Sequence, residues 1–287
     1  MKIKDKFGKG RALFSLEVFP PKKDSAVTGI TRCIDEVSAI NPDYISVTFG
    51  AAGSTDDTNR AVELASYIAE KDITASMHLT CIASDKADVL SILDRLRENN
   101  IENILALRGD MPTDVCVSKH DFRFASDLAE FIMKNGDFGI SGACYPEMHR
   151  ESTSASADIK NLKRKVDAGV SHLVSQLFFD NELFYDFREK LAIADIDVPV
   201  DAGIMPVTNV SQIKRMITMC GASIPPKLAR IINKYGDNPT AMYDAGISYA
   251  IDQISDLLAS DVDGIHLYAM NNPTTVMRIY NSIKSQL

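Results

Sequence analysis

Short apolar, β-branched runs recur along the chain at 12–19, 44–48, 73–79, 103–107, 138–144, 172–177, 198–204 and 264–268. Runs of this length read as strands buried on both faces. Between them the apolar positions shift to a helical period. Ala61, Leu64, Ala65 and Ile68 share one face, as do Val89, Ile92, Leu93 and Leu96, and again Ile159, Leu162 and Val166. The punctuation agrees with this reading. Ser54, Thr55, Asp56 and Asp57, and Ser84 with Asp85, offer N-cap oxygens, while Gly169 and Asn99-Asn100 suit left-handed C-terminal positions. The long gap before the last run holds Pro225-Pro226 and Asn238-Pro239, which predict extra helices there.

Eight alternating strand and helix units predict an α/β fold, most simply a closed TIM (β/α)8 barrel, with an open doubly wound sheet as runner-up. The glycines favour the barrel. None of the 15 forms GxGxxG or a Walker loop, the usual companions of an open nucleotide-binding sheet. With 287 residues and no linker or low-complexity stretch, residues 1–287 read as a single domain.

Composition narrows the partners. A formal charge of -8 works against binding to nucleic acid or an anionic membrane surface, and no run approaches the length of a spanning helix. The basic start MKIKDKFGKGRALFSL lacks a signal-peptide core, which points to a cytoplasmic protein. The five cysteines contain no CxxC pair, and the five histidines no HExxH or i, i+4 pair. Reduced thiols and no metal site are therefore expected.

In a barrel of this kind the chemistry gathers where strands end. Those ends carry Glu17 to Pro21, Thr48-Phe49-Gly50, His78-Leu79-Thr80, Arg108-Gly109-Asp110, Tyr145-Pro146-Glu147, Gln176, Gly203 to Pro206, and Tyr268 to Asn271. Each also has a bland reading: a helix cap for the threonines, a mutual Arg108–Asp110 pair, a loop carbonyl satisfied by Gln176. Glu17 stands out because it interrupts an apolar run, where desolvation would raise its pKa and leave a proton to donate. An ion pair with a nearby lysine or arginine is the alternative, and spacing leaves both open.

Seven segments in order, SLEVFPPK, YISVTFGA, SMHLTCI, ILALRGD, ACYPEMH, ADIKNLKRKVDAGV and QLFFD, resemble the motifs of bacterial methylenetetrahydrofolate reductases. The resemblance spans nearly the whole chain. It implies a barrel that binds FAD at its C-terminal rim without a Rossmann fold, consistent with the missing glycine fingerprint. It further implies Glu17 as general acid, Asp110 beside the flavin ring, and Thr48, His78, Arg108, Ala143, Tyr145, His149, Asp158, Asn161, Arg164 and Lys165 as flavin contacts. Gln176 corresponds to a shared folate and nicotinamide position, and Gln212 and Tyr268 flank the substrate cleft. For Arg164 and Lys165 an ordinary solvated stripe with Lys160 and Lys163 is the competing reading.

The sequence departs from the family pattern at Asp201-Ala202, where Ile-Pro is frequent, at Met216 (often Phe) and at Asn272 (often Arg). The implied activity is reduction of methylenetetrahydrofolate by NADH or NADPH through bound FAD, in alternating half-reactions, by a homo-oligomer. The need for a redox partner subunit stays open. A folate- or flavin-binding subunit without turnover is the non-enzyme alternative. An aldolase of this fold would need a buried strand-end lysine, and the eight strand ends offer none.

Overall fold

The computed structural model describes residues 1–20, 27–48, 55–110 and 121–287. Pro21, Phe49, Gly50 and Ser54, singled out above, lie outside the described residues, as do one of the five cysteines, Cys116, and one of the five histidines, His120. Eight parallel strands close a barrel in sequence order: β1 Leu13–Val18, β2 Tyr44–Val47, β3 Thr74–Thr80, β4 Asn103–Leu107, β5 Gly139–Cys144, β6 His172–Ser175, β7 Val200–Ile204 and β8 Gly264–Leu267. The helices are α1 Val27–Ser38, α2 Thr55–Ala69, α3 Lys86–Glu98, α4 Ala125–Asn135, α5 Ala155–Asp167, α6 Asn181–Ile193, α7 Val210–Cys220, α8 Pro226–Tyr235, α9 Pro239–Ala259 and α10 Pro273–Ile283. The prolines of the long β7–β8 connection open α8 and α9, where a missing N–H costs nothing.

The helical faces expected from periodicity are the buried ones in α2 and α3. In α5 only Leu162 is fully buried, while Ile159 and Val166 pack at the margin of the core. Asp85 caps α3 in a reciprocal capping box with Asp88, and Asn100 and Gly169 adopt positive φ of 57° and 113°. Strand ends differ from expectation by a residue or two. The Gln176 amide makes the last β5–β6 ladder bond, to the Cys144 carbonyl at 2.8 Å, and β6 ends there because the Leu177 amide turns to Gln176 Oε1 at 2.9 Å.

A barrel strand sends alternate residues inward, and here many of those are polar. Asp201 of β7, with no exposed surface, accepts from the Tyr44 hydroxyl at 2.5 Å and meets His172 Nε2 at 3.0 Å. His172 Nδ1 lies 2.8 Å from Ser141 Oγ, which ties β5 and β6 into the same network. Gly264 makes room for the carboxylate, since an added Cβ there would sit 2.0 Å from Asp201 Oδ1. One level higher, Ser15 Oγ lies 2.8 Å from Nδ1 of His266, whose ring stacks on Tyr44 at 5.7 Å. The lower mouth is closed by a 3-10 helix, Ile3–Lys6, anchored by the Ile3 amide on Asn103 Oδ1 at 2.8 Å, and by Phe7, whose ring lies 5.1 Å from His172.

This network predicts a specific vulnerability. Asp201→Ala strands the Tyr44 hydroxyl and His172 Nε2 in the barrel centre, so urea unfolding should show a loss of about 3 kcal/mol or more. Asp201→Asn keeps the shape and one acceptor and should lose less. Equal stability of the alanine variant and the wild type would contradict the network's role.

Candidate active site

The C-terminal mouth of the barrel divides into a charged cleft and a desolvated centre. The cleft, about 230 Å³, lies between the ends of β4 and β5, the start of α4 and one face of α5. Eight residues expected to contact a cofactor line it together: Arg108, Ala143, Tyr145, His149, Asp158, Asn161, Arg164 and Lys165. Helix α5 presents the last four because Asp158, Asn161, Arg164 and Lys165 recur at its three- and four-residue spacing. Thr48, His78 and Asp110 do not line this cleft: Thr48 directly follows β2, His78 lies within β3, and Asp110 lies in the loop after β4.

Local contacts explain how the cleft holds its shape. Arg108 forms a two-pronged ion pair with Glu151, at 2.5 and 2.8 Å, and this contact keeps its guanidinium charged. That settles the alternative raised for Arg108, whose partner is Glu151 and not Asp110. Asp158 organises the loop after β5 by accepting from Ser152 Oγ at 2.6 Å and the His149 amide at 3.3 Å. Tyr145 and His149 meet edge to face at 4.7 Å between ring centroids. Arg164 reaches Asn161 Oδ1 at 3.1 Å, and Lys165 donates to the Ala143 carbonyl at 2.6 Å, its pKa lowered by burial. Lys160 is exposed and Lys163, partly exposed, pairs with Asp167 at 2.6 Å; neither lines the cleft.

The cleft suits a ligand with both phosphate and ring parts. Three cationic side chains line it against two carboxylates, Glu151 and Asp158. The start of α4 adds the amides of Ala125 and Ser126, which as first-turn donors have no intrahelical acceptor. Ala106, Leu107, Leu162 and Tyr145 supply apolar wall. Phe124, 56% exposed at the rim, together with Ser126, Glu151 and Ser152, escaped the sequence reading. Nothing local in the sequence marks Phe124 as a rim residue or Glu151 as the partner of Arg108.

At the centre, Glu17 points inward from β1, and its side chain keeps 21% exposure toward the mouth. Burial pushes its pKa up to about 8. Among the described residues no lysine or arginine pairs with it; its charged-type neighbour is His78 of β3, whose Nε2 is 3.5 Å from Glu17 Oε2. Burial holds His78 neutral, with a pKa of about 4. Tyr268 crosses the mouth with its hydroxyl on the Ser175 carbonyl at 2.8 Å. Gly203 permits that crossing, because a Cβ there would lie 2.7 Å from the ring and 2.2 Å from Ser175 O.

Four other expected positions have plain surroundings. Gln176 is half-buried and turns its Oε1 to the Leu177 amide at 2.9 Å, a donor and not the carbonyl anticipated, which leaves its NH₂ group to be used. Asp110 is exposed after Gly109, which has φ 89°. Thr48 is half-buried, its amide on the Val18 carbonyl at 2.9 Å, and Gln212 is half-buried in the first turn of α7. Asn272 caps α10 by accepting from the Thr275 amide at 3.1 Å, a role that an arginine there could not fill.

The raised pKa of Glu17 has a consequence for stability. The folded protein keeps this proton up to about pH 8, whereas the ordinary value is 4.5, so wild type loses stability as pH rises between those values. Glu17→Gln removes that loss. Its thermal midpoint should exceed that of wild type by an amount that grows across the window and is constant above it; a gap independent of pH would overturn the assignment.

Comparison with known proteins agrees with the fold and extends it. The family described as Methylenetetrahydrofolate reductase matches residues 2–284. The chain is 36% identical over 266 residues to 5,10-methylenetetrahydrofolate reductase of Escherichia coli K12, covering 91% of this chain and 87% of that protein. It is 35% identical over 264 residues to the enzyme of the same name from Pectobacterium carotovorum, with the same coverage. Methylenetetrahydrofolate reductase (NADH) 1 of Arabidopsis thaliana is 35% identical over 285 residues, 94% of this chain but 48% of that longer protein. A Clostridium thermocellum protein solved with two copies of 5-methyl-5,6,7,8-tetrahydrofolic acid superposes with a TM-score of 0.71 over 96% of this chain and 95% of its own, at 12% identity, and so shares the fold. A match that runs from residue 2 to residue 284, through every strand of the barrel and both halves of its mouth, identifies this chain as a member of the methylenetetrahydrofolate reductase family.

Proposed function

We propose that this protein reduces 5,10-methylenetetrahydrofolate to 5-methyltetrahydrofolate with NADH or NADPH as the hydride source. The observation that carries the mechanism is a carboxyl group, Glu17, desolvated enough to keep its proton near neutral pH at the open end of the barrel. FAD, when bound, would accept hydride from the nicotinamide and pass it to the folate carbon. The cleft residues Arg108, Tyr145, His149, Asp158, Asn161, Arg164 and Lys165 would hold it, with Ala143 leaving room, and Thr48, His78 and Asp110 would meet its ring.

Glu17 acts on the substrate. Opening the ring that bridges two folate nitrogens expels an amine, and that nitrogen leaves well only when protonated. A carboxyl with its ordinary pKa would hold almost no proton at pH 7, whereas one at about 8 is mostly protonated. Gln176 offers its free amide to orient the pterin or the nicotinamide carboxamide, and Tyr268 and Gln212 bound the space either occupies. Asp110 brings negative charge to the flavin ring, and such a charge opposes the arrival of electrons there. We read the closed barrel and its added helices as one catalytic domain, in a homo-oligomer.

Stopped-flow kinetics tests the acid. Glu17→Gln should slow the reaction with methylenetetrahydrofolate by about 10² to 10⁴, the usual worth of a positioned acid, while nicotinamide oxidation, which needs no such proton, stays within about fivefold. Equal losses in both halves would make Glu17 a site-shaping residue. Potentiometry tests Asp110: the asparagine variant should raise the flavin reduction potential, and an unchanged or lower value would remove Asp110 from the ring. Purified protein that gains no flavin absorption on addition of FAD, or that binds FAD without turnover, would defeat the enzyme reading.

A further inference from the structure

We infer that His78 is a positioning residue for the acid: its Nε2–H donates to Oε2 of Glu17, so that the carboxyl proton resides on Oε1 and faces the substrate. The inference rests on reading Glu17 as the proton donor. Its first support is an unmet need. His78 Nε2 is buried and, among the described residues, has no hydrogen-bond partner, a condition that native interiors seldom leave unused. Glu17 Oε2 lies 3.5 Å from it. That separation is about half an ångström beyond an ordinary N–H···O bond, and contacts around a catalytic acid often tighten only when substrate binds.

The second support is charge. A lysine or arginine in this position would hold Glu17 ionised and leave nothing to donate. A neutral imidazole orients the carboxyl without taking its proton. His78 stays neutral because burial places its pKa at about 4, and His266 nearby lowers no barrier to protonation, being itself buried with a pKa of about 3. Among the described residues, the other titratable group that interacts electrostatically with Glu17 is Tyr268, just after β8, whose hydroxyl burial keeps protonated. The acid is therefore enclosed by neutral groups.

The third support is the order of events. Before proton transfer, Nε2–H meets a neutral carboxyl oxygen and the contact is weak. As Oε1 gives its proton to the departing amine, Oε2 shares the resulting negative charge, and the same N–H becomes a charge-assisted donor. An interaction that strengthens as the reaction proceeds accelerates it. The balance is simple: one proton moves from Glu17 to the substrate nitrogen, and the imidazole keeps its own.

Infrared titration of the protonated Glu17 carbonyl band, identified by its loss in Glu17→Gln, tests this on flavin-loaded protein, and on flavin-free protein for any variant that does not retain flavin. His78→Leu deletes the N–H, and His78→Met does the same if the leucine variant does not fold. His78→Gln restores an N–H near the position of Nε2. The titration midpoint should rise by roughly one pH unit in the apolar variant, the worth of one hydrogen bond to a charged group, and return toward wild type in the glutamine variant. The rate of reaction with methylenetetrahydrofolate should fall about 10- to 100-fold in the apolar variant, with partial recovery in glutamine. A midpoint that falls would mean that Nε2 accepts the Glu17 proton, and one that is unmoved, or moves equally in both variants, would make His78 structural; each overturns the inference. If Glu17→Gln leaves the folate reaction unchanged, the acid reading itself falls.

Discussion

An acidic side chain with no solvent-exposed surface, Asp201, sits inside this barrel, and the arrangement above it follows from how its Oδ2 is paired, Oδ1 having no hydrogen-bond partner among the described residues. Burying an unpaired acid would cost far more than any single packing contact returns. Tyr44 and His172 meet it from β2 and β6, and Ser141 fixes the His172 ring from β5. The polar layer thus joins strands on opposite sides of the barrel. Tyr44 then carries the stacked ring of His266, and His266 meets Tyr268 edge to face at 5.2 Å. The centre of the barrel mouth is built on this column.

Two kinds of electrostatics operate a short distance apart at the mouth. In the cleft, charges are paired and partly open to water: Arg108 with Glu151, and Asp158 with the Ser152 hydroxyl and a loop amide. Such pairs fix geometry and leave cations ready for an anion. At the centre, Glu17 and His78 are largely desolvated and, among the described residues, lack a lysine or arginine partner, which favours the neutral form of both at pH 7. Desolvation that costs the fold stability is what keeps a proton on Glu17. The same carboxyl placed in the cleft, beside a guanidinium, would be ionised and useless as an acid.

The departures from the family pattern are accommodated by local chemistry. Asp201 replaces an apolar residue and is accepted because Gly264 on the neighbouring strand leaves space and Tyr44 and His172 supply donors. Asn272 gives up a long cation and gains a helix cap. Nothing in the structure explains why methionine stands at 216. None of the three replaces a residue of the charged cleft or the Glu17–His78 pair.

Much of this was legible in one dimension. The two-residue and 3.6-residue periods are properties of the backbone, so they marked eight strands, the buried faces of α2 and α3, and the caps at Asp85, Asn100 and Gly169 before any contact was known. The family motifs named the cleft residues because their spacing on α5 is itself local. What tertiary structure alone decided is pairing across the barrel. Arg108 meets Glu151, 43 residues away, and Tyr44 meets Asp201, 157 residues away. His78 faces Glu17 only because closure brings β3 and β1 to one axis. Periodicity tells which side of a strand a residue occupies; it carries no information about which inward side chains share a level once the sheet has curled and sheared into a barrel.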